Sequence, residues 1–465
     1  MSSSSHDDIE KDAGSLNDSV PHLSDQQGEL KEAAEAPFTI ERDSNEHGPN
    51  GEPLEKVATK YSAHNIRSVP NGGLTAWLQV LGSFFLFFNS WGIVNTFGTY
   101  QAYYETGILA SSTPSAISWI GSIQAFLLML VGAVTGPIYD AGYVHTLLLL
   151  GSFLVVFGQM MLSLATNYWQ VMLAQAICIG IGCGCMFVPA VAILSTYFST
   201  RIATAMGLAA AGSSLGGVIY PIVFHRLQPT LGFPWATRVI GFIALFGLLF
   251  SNSVMKVRVL PDSRRKFLDL TAFTELPYVL FVLGSFTGFM GLYVLFFYIQ
   301  SYALQTHITN DNLSFYLLSI INAASVFGRI IPNYIADFTG PMNMILPCSF
   351  MAGILTLCLI ATHTIAPLIV ICVLYGFFSG TFVSLPPTIF VALTKNRAVI
   401  GTRMGMGFSI TSFGLLIGTP ISGVILDAKG YPSTWTFGGV LVLAGAVFML
   451  GSRVAQGGWK VMVKV

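Results

Sequence analysis

The side chain with the clearest chemical potential is Arg329, a cation within an otherwise apolar run. The run ends near Asp337, and a helix rising ~1.5 Å per residue would carry Arg329 about 12 Å inside the membrane edge. Burying an unpaired guanidinium there costs at least about 2.5–3.5 kcal/mol, so it should face a partner or a wet cavity. An organic anion would supply that partner through a bidentate carboxylate contact. The structural alternative is an interhelical bond to backbone carbonyls or to Asn95.

Polar and aromatic side chains inside other apolar runs are further candidates for substrate contact. Each is more often a packing or interhelical residue, because polar side chains commonly bond between transmembrane helices. The candidates are Asn89, Asn95, Tyr293, Tyr298, Ser409 and Ser412.

Two carboxylates at the ends of apolar runs are candidates for gating. A carboxylate at a helix end can cap and attract the positive N-terminus of another helix. We therefore expect Asp140 to pair with Arg403, and Asp337 with Arg201, in a latch that closes the cytoplasmic gate of the outward-open state. The alternative is that these charges only face water at the membrane surface.

The amino-acid composition indicates that the scaffold which positions these side chains lies in a membrane. Of the 465 residues, 53% are apolar and 9% are charged, against roughly 25% charged in a soluble domain. Apolar stretches long enough to cross the ~30 Å hydrocarbon layer recur from residue 74 onward. We expect an all-α integral membrane protein with twelve transmembrane helices, over 74–101, 115–138, 144–165, 168–194, 202–225, 234–255, 276–303, 313–336, 342–361, 365–392, 399–426 and 434–453.

The distribution of charged residues divides the chain into a tail, two halves and a linker. Residues 1–69 hold 14 acidic and 6 basic residues and no long apolar run, which predicts a disordered acidic cytoplasmic tail without a cleavable signal peptide. Bases collect in alternate loops, so both termini are expected in the cytoplasm. The expected parts are the tail 1–69, a six-helix half 70–255, a basic cytoplasmic linker 256–275, a second six-helix half 276–455 and a short cytoplasmic C-terminus 456–465.

The two halves repeat each other at an offset near 197 residues. Same-sense repetition implies two halves related by an axis along the membrane normal, with the substrate between them near the midplane. A channel would instead show a filter loop or a ring of like charges. The matched positions are Asp140 and Asp337, Gly184 and Gly380, Pro189 and Pro386, Gly207 and Gly407, and Pro221 and Pro420.

Four segments carry a family resemblance: PNGGLTAW (70–77), SWGIVNTFGTYQAYYE (90–105), YFSTRIATAMGLAAAGSSLGG (197–217) and GTRMGMGFSITSFGLLIGTPISG (401–423). They are similar to the major facilitator superfamily, and more narrowly to the fungal branch of its monocarboxylate porter family. The resemblance implies the major facilitator fold and a substrate-contacting Arg at position 329. It also implies that Gly136 and Asp140 belong to a degenerate form of the superfamily motif that follows the second helix.

The resemblance bears on coupling as well. Family members that couple transport to protons carry a Lys in the first helix and an Asp one turn before the Arg of the eighth helix. Those positions hold Asn95 and Ser325 here. An intramembrane proton relay therefore lacks a candidate, and we expect facilitated or otherwise coupled movement instead of proton symport.

These observations predict a secondary active or facilitative transporter of a small organic anion, monocarboxylate-like, or a related metabolite by alternating access. Export of a fungal secondary metabolite is the alternative within that class. A non-transporting membrane receptor or sensor is the alternative from another class. No enzyme activity is expected, because paired acids, a metal cluster or a nucleophile with its base are not apparent in the apolar runs.

The expected partners are a small-molecule substrate and the lipid bilayer, without nucleic acid. We expect no cofactor and no metal, because Cys183 and Cys185 have no His or carboxylate in the same run and zinc needs about four such ligands. A monomer in the plasma membrane is expected, with an accessory protein and the vacuolar membrane as open alternatives.

Overall fold

The computed structural model describes residues 71–258, 268–394 and 399–459. Within these ranges the chain forms α-helices joined by short turns, a π-helix at Met172–Ile179 and short 3-10 segments, without a strand. The predicted tail (1–69), residues 259–267 of the predicted linker and residues 460–465 of the predicted C-terminus lie outside the described residues.

The α-helices are labelled here in chain order. The first nine are α1 (Leu74–Asn89), α2 (Trp91–Asn95), α3 (Phe97–Thr106), α4 (Pro114–Val134), α5 (Gly136–Asp140), α6 (Val144–Leu162), α7 (Tyr168–Val171), α8 (Gly180–Tyr197) and α9 (Ile202–Val254). They are followed by α10 (Leu276–Gln305), α11 (Asp311–Thr339), α12 (Pro341–Cys358), α13 (Ile365–Ser384), α14 (Pro386–Leu393) and α15 (Ile400–Gly457).

Two of these helices are each long enough for two membrane crossings. Ten stretches of the described chain are long and apolar enough to span a membrane, and α9 and α15 are the longest of them. Each contains one glycine with a left-handed backbone, Gly232 (φ 76°) and Gly430 (φ 75°). Each glycine separates two helical segments, so the described stretches are consistent with the twelve expected spans.

The turns inside α9 and α15 lie beyond the predicted helix ends at 225 and 426. A proline stands two residues after each glycine, at Pro234 and Pro432. Glycine adopts a positive φ without a Cβ penalty, so the helices continue to these two positions before they turn. The Gly-x-Pro pairs recur at an offset of 198 residues, which extends the internal repeat.

Side-chain caps and glycine set several other helix ends. The Thr113 hydroxyl accepts the N–H of Ala116 (3.2 Å) at the start of α4. The Asn310 side chain accepts the N–H of Leu313 (2.9 Å) at the start of α11. Such caps satisfy backbone donors that the first helical turn leaves unpaired. Gly340, with φ 99°, ends α11 and allows α12 to begin at once.

The helices N-terminal to residue 255 meet those C-terminal to residue 270 along three seams, which we name α3–α10, α4–α15 and α9–α11. The bundle end that carries Asp140, Asp269 and Asp337 is called the linker end, and the opposite end, with Glu105 and Ser115, the far end. Close approach at the α9–α11 seam depends on Gly207, where an added Cβ would overlap the carbonyl oxygen of Arg329. This seam therefore brings the two sets of helices together at the candidate site.

Candidate substrate site and gates

Arg329 lies in the middle of α11 and is only 2% exposed. Its Nε donates to the Ser325 hydroxyl (3.3 Å), and its Nη1 donates to the Ala210 carbonyl oxygen (3.1 Å) and to the Ser213 hydroxyl. The interhelical alternative, a bond to a backbone carbonyl, is thus formed in this structure. Nη2 makes no hydrogen bond with a described residue, and Arg329 also lines a cavity. One edge of the guanidinium is therefore left for a ligand.

Asn95 and Tyr293 belong to the same group of polar side chains. The Tyr293 hydroxyl donates to Asn95 Oδ1 (3.2 Å), and Asn95 Nδ2 donates to the Ser213 carbonyl oxygen (3.5 Å). We call Arg329, Ser325, Ser213, Asn95 and Tyr293 the Arg329 cluster. Its members come from α2, α9, α10 and α11, so it joins both sets of helices at their centre.

The cavity beside Arg329, here called the central cavity, is aromatic and nearly closed. Its volume is about 20 Å³, which is room for a water molecule but far below the ~300–1,000 Å³ of ligand pockets. A substrate therefore needs the helices to separate at this level. The lining side chains include Phe87, Trp91, Met129, Phe187, Met206, Phe289 and Phe408.

Asn89 and Ser412 are buried away from the central cavity. Asn89 Nδ2 donates to the Phe85 carbonyl oxygen (2.7 Å), and Asn89 Oδ1 accepts the hydroxyl of Tyr220 (2.6 Å). Ser412 donates to the carbonyl oxygen of Ser409 one turn back (2.6 Å). Within the described part of the chain, Asn89 bonds only to residues of the N-terminal helices, and Ser412 bonds within its own helix. Their role in substrate binding stays a prediction.

Tyr298 and Ser409 lie toward opposite ends of the bundle. The Tyr298 hydroxyl donates to the Thr419 carbonyl oxygen (3.0 Å), toward the far end. The Ser409 hydroxyl donates to the Gly405 carbonyl oxygen (2.9 Å), and Ser409 lines a crevice at the linker end. The six weaker candidates therefore do not form one site, and only Asn95 and Tyr293 adjoin Arg329.

Asp337 caps the N-terminus of α9 from the neighbouring helix. Its two carboxylate oxygens accept the backbone N–H groups of Ala203 (3.0 Å) and Thr204 (3.0 Å), and Oδ2 also accepts the Thr204 hydroxyl. These N–H groups have no partner inside α9, and the helix dipole favours an anion there. The ion pair with Arg201 that is predicted for the outward-open state is not formed in this conformation, in which backbone donors bond to the carboxylate and Arg201 is exposed.

Arg403 bonds to two carboxylates other than the predicted Asp140. Its Nε pairs with Asp269 Oδ2 (2.8 Å) and its Nη2 with Glu275 Oε1 (2.8 Å). The pair with Asp140 that is predicted for the outward-open state is absent in this conformation, in which residues 269–275, just before α10, lie against the first turn of α15. Hydrogen bonds from Thr271 and Arg403 lower the pKa of Asp269 below its ordinary value. The gating roles of these charges stay a prediction.

The α4–α15 seam contains a crevice at the linker end. A crevice of about 430 Å³ lies there between Ala133–Pro137 of the α4 and α5 region and Gly401–Ile410 of α15. The α9–α11 seam beside it is bonded through Asp337. At the linker end, one seam thus contains a crevice and the other is hydrogen-bonded.

The far end is held by contacts across all three seams. Ser301 of α10 donates to Glu105 Oε2 of α3 (2.7 Å), and Ser115 of α4 donates to the carbonyl oxygen of Pro420 in α15 (3.0 Å). At the α9–α11 seam, the ring of His225 stacks on Phe315 with 4.1 Å between ring centroids. The bundle is therefore closed at the far end and at its centre.

A helical membrane bundle with a cationic site at its centre and separate contacts at its two ends has the organisation of a membrane transporter. Residues 79–401 match the family model described as Major Facilitator Superfamily. The chain belongs to this superfamily of transporters, so the predicted fold class and transporter class are confirmed.

Fungal proteins are among its relatives. The chain is 55% identical over 376 residues to the MFS-type transporter dbaD of Emericella nidulans, covering 80% of this chain and 85% of that protein. It is 41% identical over 404 residues to the aspyridones efflux protein apdF of the same species, covering 87% and 81%. It is 34% identical over 448 residues to the fujikurins efflux protein of Gibberella fujikuroi, covering 95% and 96%.

A solved structure shares the fold. A variant of the Escherichia coli fucose:proton symporter FucP superposes with a TM-score of 0.58 at 17% identity, covering 81% of this chain and 98% of that one. The names of the fungal relatives refer to transport and efflux. Membership of the monocarboxylate porter branch stays a prediction.

The aromatic lining of the central cavity and the serine that binds Arg329, Ser213, are not among the residues predicted from the sequence. Phe87 and Trp91 stand four residues apart, the spacing at which side chains share a helix face, and this signal was present in the sequence. Ser213 lies in a run of small residues, AAAGSSLGG, that gives no sign of which helix it faces.

Proposed function

We propose that this protein exports an apolar secondary metabolite that carries one anionic or hydrogen-bond-accepting group. The observation that carries the proposal is the lining of the central cavity, where aromatic and thioether side chains surround a single guanidinium. Aromatic rings offer a large apolar contact area. The free edge of Arg329 can then orient the one polar group of the substrate. The efflux function in the names of the aspyridones and fujikurins relatives supports the same direction.

A small monocarboxylate is the second candidate substrate. It is favoured by one observation, that Nη2 of Arg329 has no hydrogen-bond partner among the described residues. A carboxylate could accept from that edge of the guanidinium. The surrounding rings of Trp91 and Phe289 favour a larger apolar molecule, because a small anion would leave them without contact.

In the proposed cycle the linker end faces the cytoplasm and the far end faces the outside. Substrate binds at the Arg329 cluster after the linker end separates, and the two sets of helices then rock so that the far-end bonds break. The cap of Asp337 on α9 holds the linker end shut in the outward-facing state. We place the protein in the plasma membrane as a monomer, with both termini in the cytoplasm.

Proton coupling is not part of this proposal. The Arg329 cluster contains no carboxylate, and Ser325 and Asn95 occupy the positions at which the family resemblance would place a proton-coupling Asp and Lys. Cycling of the cluster therefore does not require a protonation step. Transport is expected to follow the gradient of the substrate or of another solute.

The test is flux through purified protein reconstituted in liposomes, with protein-free liposomes as the control. Apolar fungal metabolites, aspyridones and fujikurins among them, are compared with radiolabelled monocarboxylates, with and without a pH gradient. Saturable flux of an apolar metabolite that ignores the pH gradient is expected. Saturable flux of monocarboxylates alone would favour the second candidate, and flux that requires the pH gradient would refute proton-independent transport.

A further inference from the structure

The crevice at the linker end has the volume of a ligand site. Its volume of about 430 Å³ falls within the ~300–1,000 Å³ range of small-molecule pockets. Ala133 and Val134 of α4 form one wall, and Gly405 of α15 belongs to the other. Leu268 and Phe273, from the segment before α10, complete the lining. The central cavity, by contrast, has no room for such a ligand in this conformation.

The lining of the crevice is uncharged. Its polar side chains are Thr402 and Ser409, and the Ser409 hydroxyl is used by the Gly405 carbonyl oxygen. The neighbouring Arg403 points its guanidinium to Asp269 and Glu275. An ionic ligand would therefore find no opposite charge among the described lining residues, whereas an apolar ligand would bury its surface.

The mouth of the crevice is apolar and exposed. Val134, Leu268 and Phe273 are 53%, 64% and 42% exposed. Exposed apolar side chains of a membrane bundle contact lipid, and the nearby charges of Arg403, Asp269 and Glu275 indicate the level of the membrane interface. Aromatic amphipathic molecules concentrate at that level. The crevice thus adjoins the lipid region in which an apolar metabolite would be dissolved.

The crevice continues toward the central cavity along the α4–α15 seam. Met129 and Phe408 line the central cavity, while Ala133 and Gly405 line the crevice. These residues are about one helical turn apart on each helix, which is roughly 5 Å along the axis. The two helices lie close together here, because a Cβ added at Gly405 would be 3.6 Å from Ala133. A ligand in the crevice therefore reaches Arg329 only after α4 and α15 separate, by advancing about one turn.

We propose that the linker-end crevice is an access site that binds the apolar, aromatic metabolite from the membrane before it moves along the α4–α15 seam to the central cavity. This inference rests on the proposed export function and identifies where the exported molecule first binds. Volume, lining, exposed mouth and continuity with the central cavity all favour this occupant. The bonds across the far end keep the ligand from leaving on that side while the crevice is occupied.

Photolabelling of full-length protein in liposomes tests the access site. The probe is a small aromatic diazirine, and labelled peptides are mapped by mass spectrometry. Gly405 lines the crevice, and a Cβ added there would already contact Ala133 at 3.6 Å. The indole of Gly405→Trp should therefore extend into the crevice and fill it. Ala133→Phe fills the crevice from the opposite wall. Val424→Trp adds the same bulk to α15 at a lipid-exposed position and is the control.

Labelling of residues 133–137 and 401–410 is expected to saturate with probe concentration. We expect it to fall about tenfold or more in Gly405→Trp and Ala133→Phe, because the added ring occupies the apolar volume of the probe, and to stay unchanged in Val424→Trp. Labelling that rises linearly, or that ignores both blocking variants, would overturn the access site. The assay does not require transport, so a failure of the export proposal would appear separately, as absent flux beside intact saturable labelling.

Discussion

Replacing Asp337 with Ala should open the linker end at the α9–α11 seam. The carboxylate of Asp337 accepts the N–H groups of Ala203 and Thr204 at the N-terminus of α9. Losing such a cap costs about 0.5–2 kcal/mol, and losing a charge from a helix N-terminus costs about 0.3–1 kcal/mol more. We therefore expect a loss of about 1–2 kcal/mol, which shifts the population toward the separated linker end by a factor of about 5–30.

Pulsed electron paramagnetic resonance measures this shift directly. Spin labels are attached through unnatural amino acids at Arg201 and Phe338, two exposed positions that flank the seam, so that native thiols do not react. Asp337→Ala should move the distance distribution to longer values. Asp337→Asn keeps one acceptor oxygen, so its distances should lie between those of wild type and Asp337→Ala. Thr339→Ala is the control, since its hydroxyl bonds only to the carbonyl oxygen of Ile335 on the same helix. Unchanged distances in Asp337→Ala would refute a gating role for the cap.

Two further predictions concern the packing and the charges of the bundle. Gly207→Ala should lower the melting temperature, because the new Cβ overlaps the Arg329 carbonyl oxygen and overpacking costs about 1–3 kcal/mol. Gly72→Ala is the control: its new Cβ meets nothing within 4 Å, so the melting temperature should not change. Asp269 has a lowered pKa, so its ion pair with Arg403 is fully formed above the ordinary Asp pKa and is lost only as the pH falls through the lowered value. Hydrogen exchange of residues 270–278 should therefore stay slow in mild acid and speed up in Asp269→Asn; equal rates in that variant would contradict the prediction.

The sequence alone predicts the elements of this protein better than their contacts. The apolar runs and the depth of Arg329 follow from helix geometry, which is local. The boundaries near 225 and 426 were wrong by a turn or more, because the helices turn only where Gly232 and Gly430 permit a positive φ. The Gly-x-Pro pairs at these turns recur between the two halves of the sequence, so the repeat could have located the turns.

Contacts between distant segments were harder to predict. Arg403 is expected to pair with Asp140 in the outward-open state, since both lie at helix ends, whereas in this conformation Asp269 and Glu275 bond to its guanidinium. Whether a linker carboxylate or a helix-end carboxylate reaches an arginine depends on how the linker folds back, and hydropathy carries no information on that. The aromatic cavity was missed for a similar reason, because every apolar run contains Phe and its position in a run does not show which rings meet.

The central claim is that the substrate is held between Arg329 and the surrounding rings. The most direct test compares saturable efflux of an apolar metabolite by wild type, Arg329→Gln and Trp91→Ala in liposomes, with Arg238→Gln as a control that removes a guanidinium elsewhere. We predict that Arg329→Gln and Trp91→Ala each lose about tenfold or more in apparent affinity, equivalent to about 1.4 kcal/mol, while Arg238→Gln behaves as wild type. Wild-type affinity in both folded site variants would contradict the account.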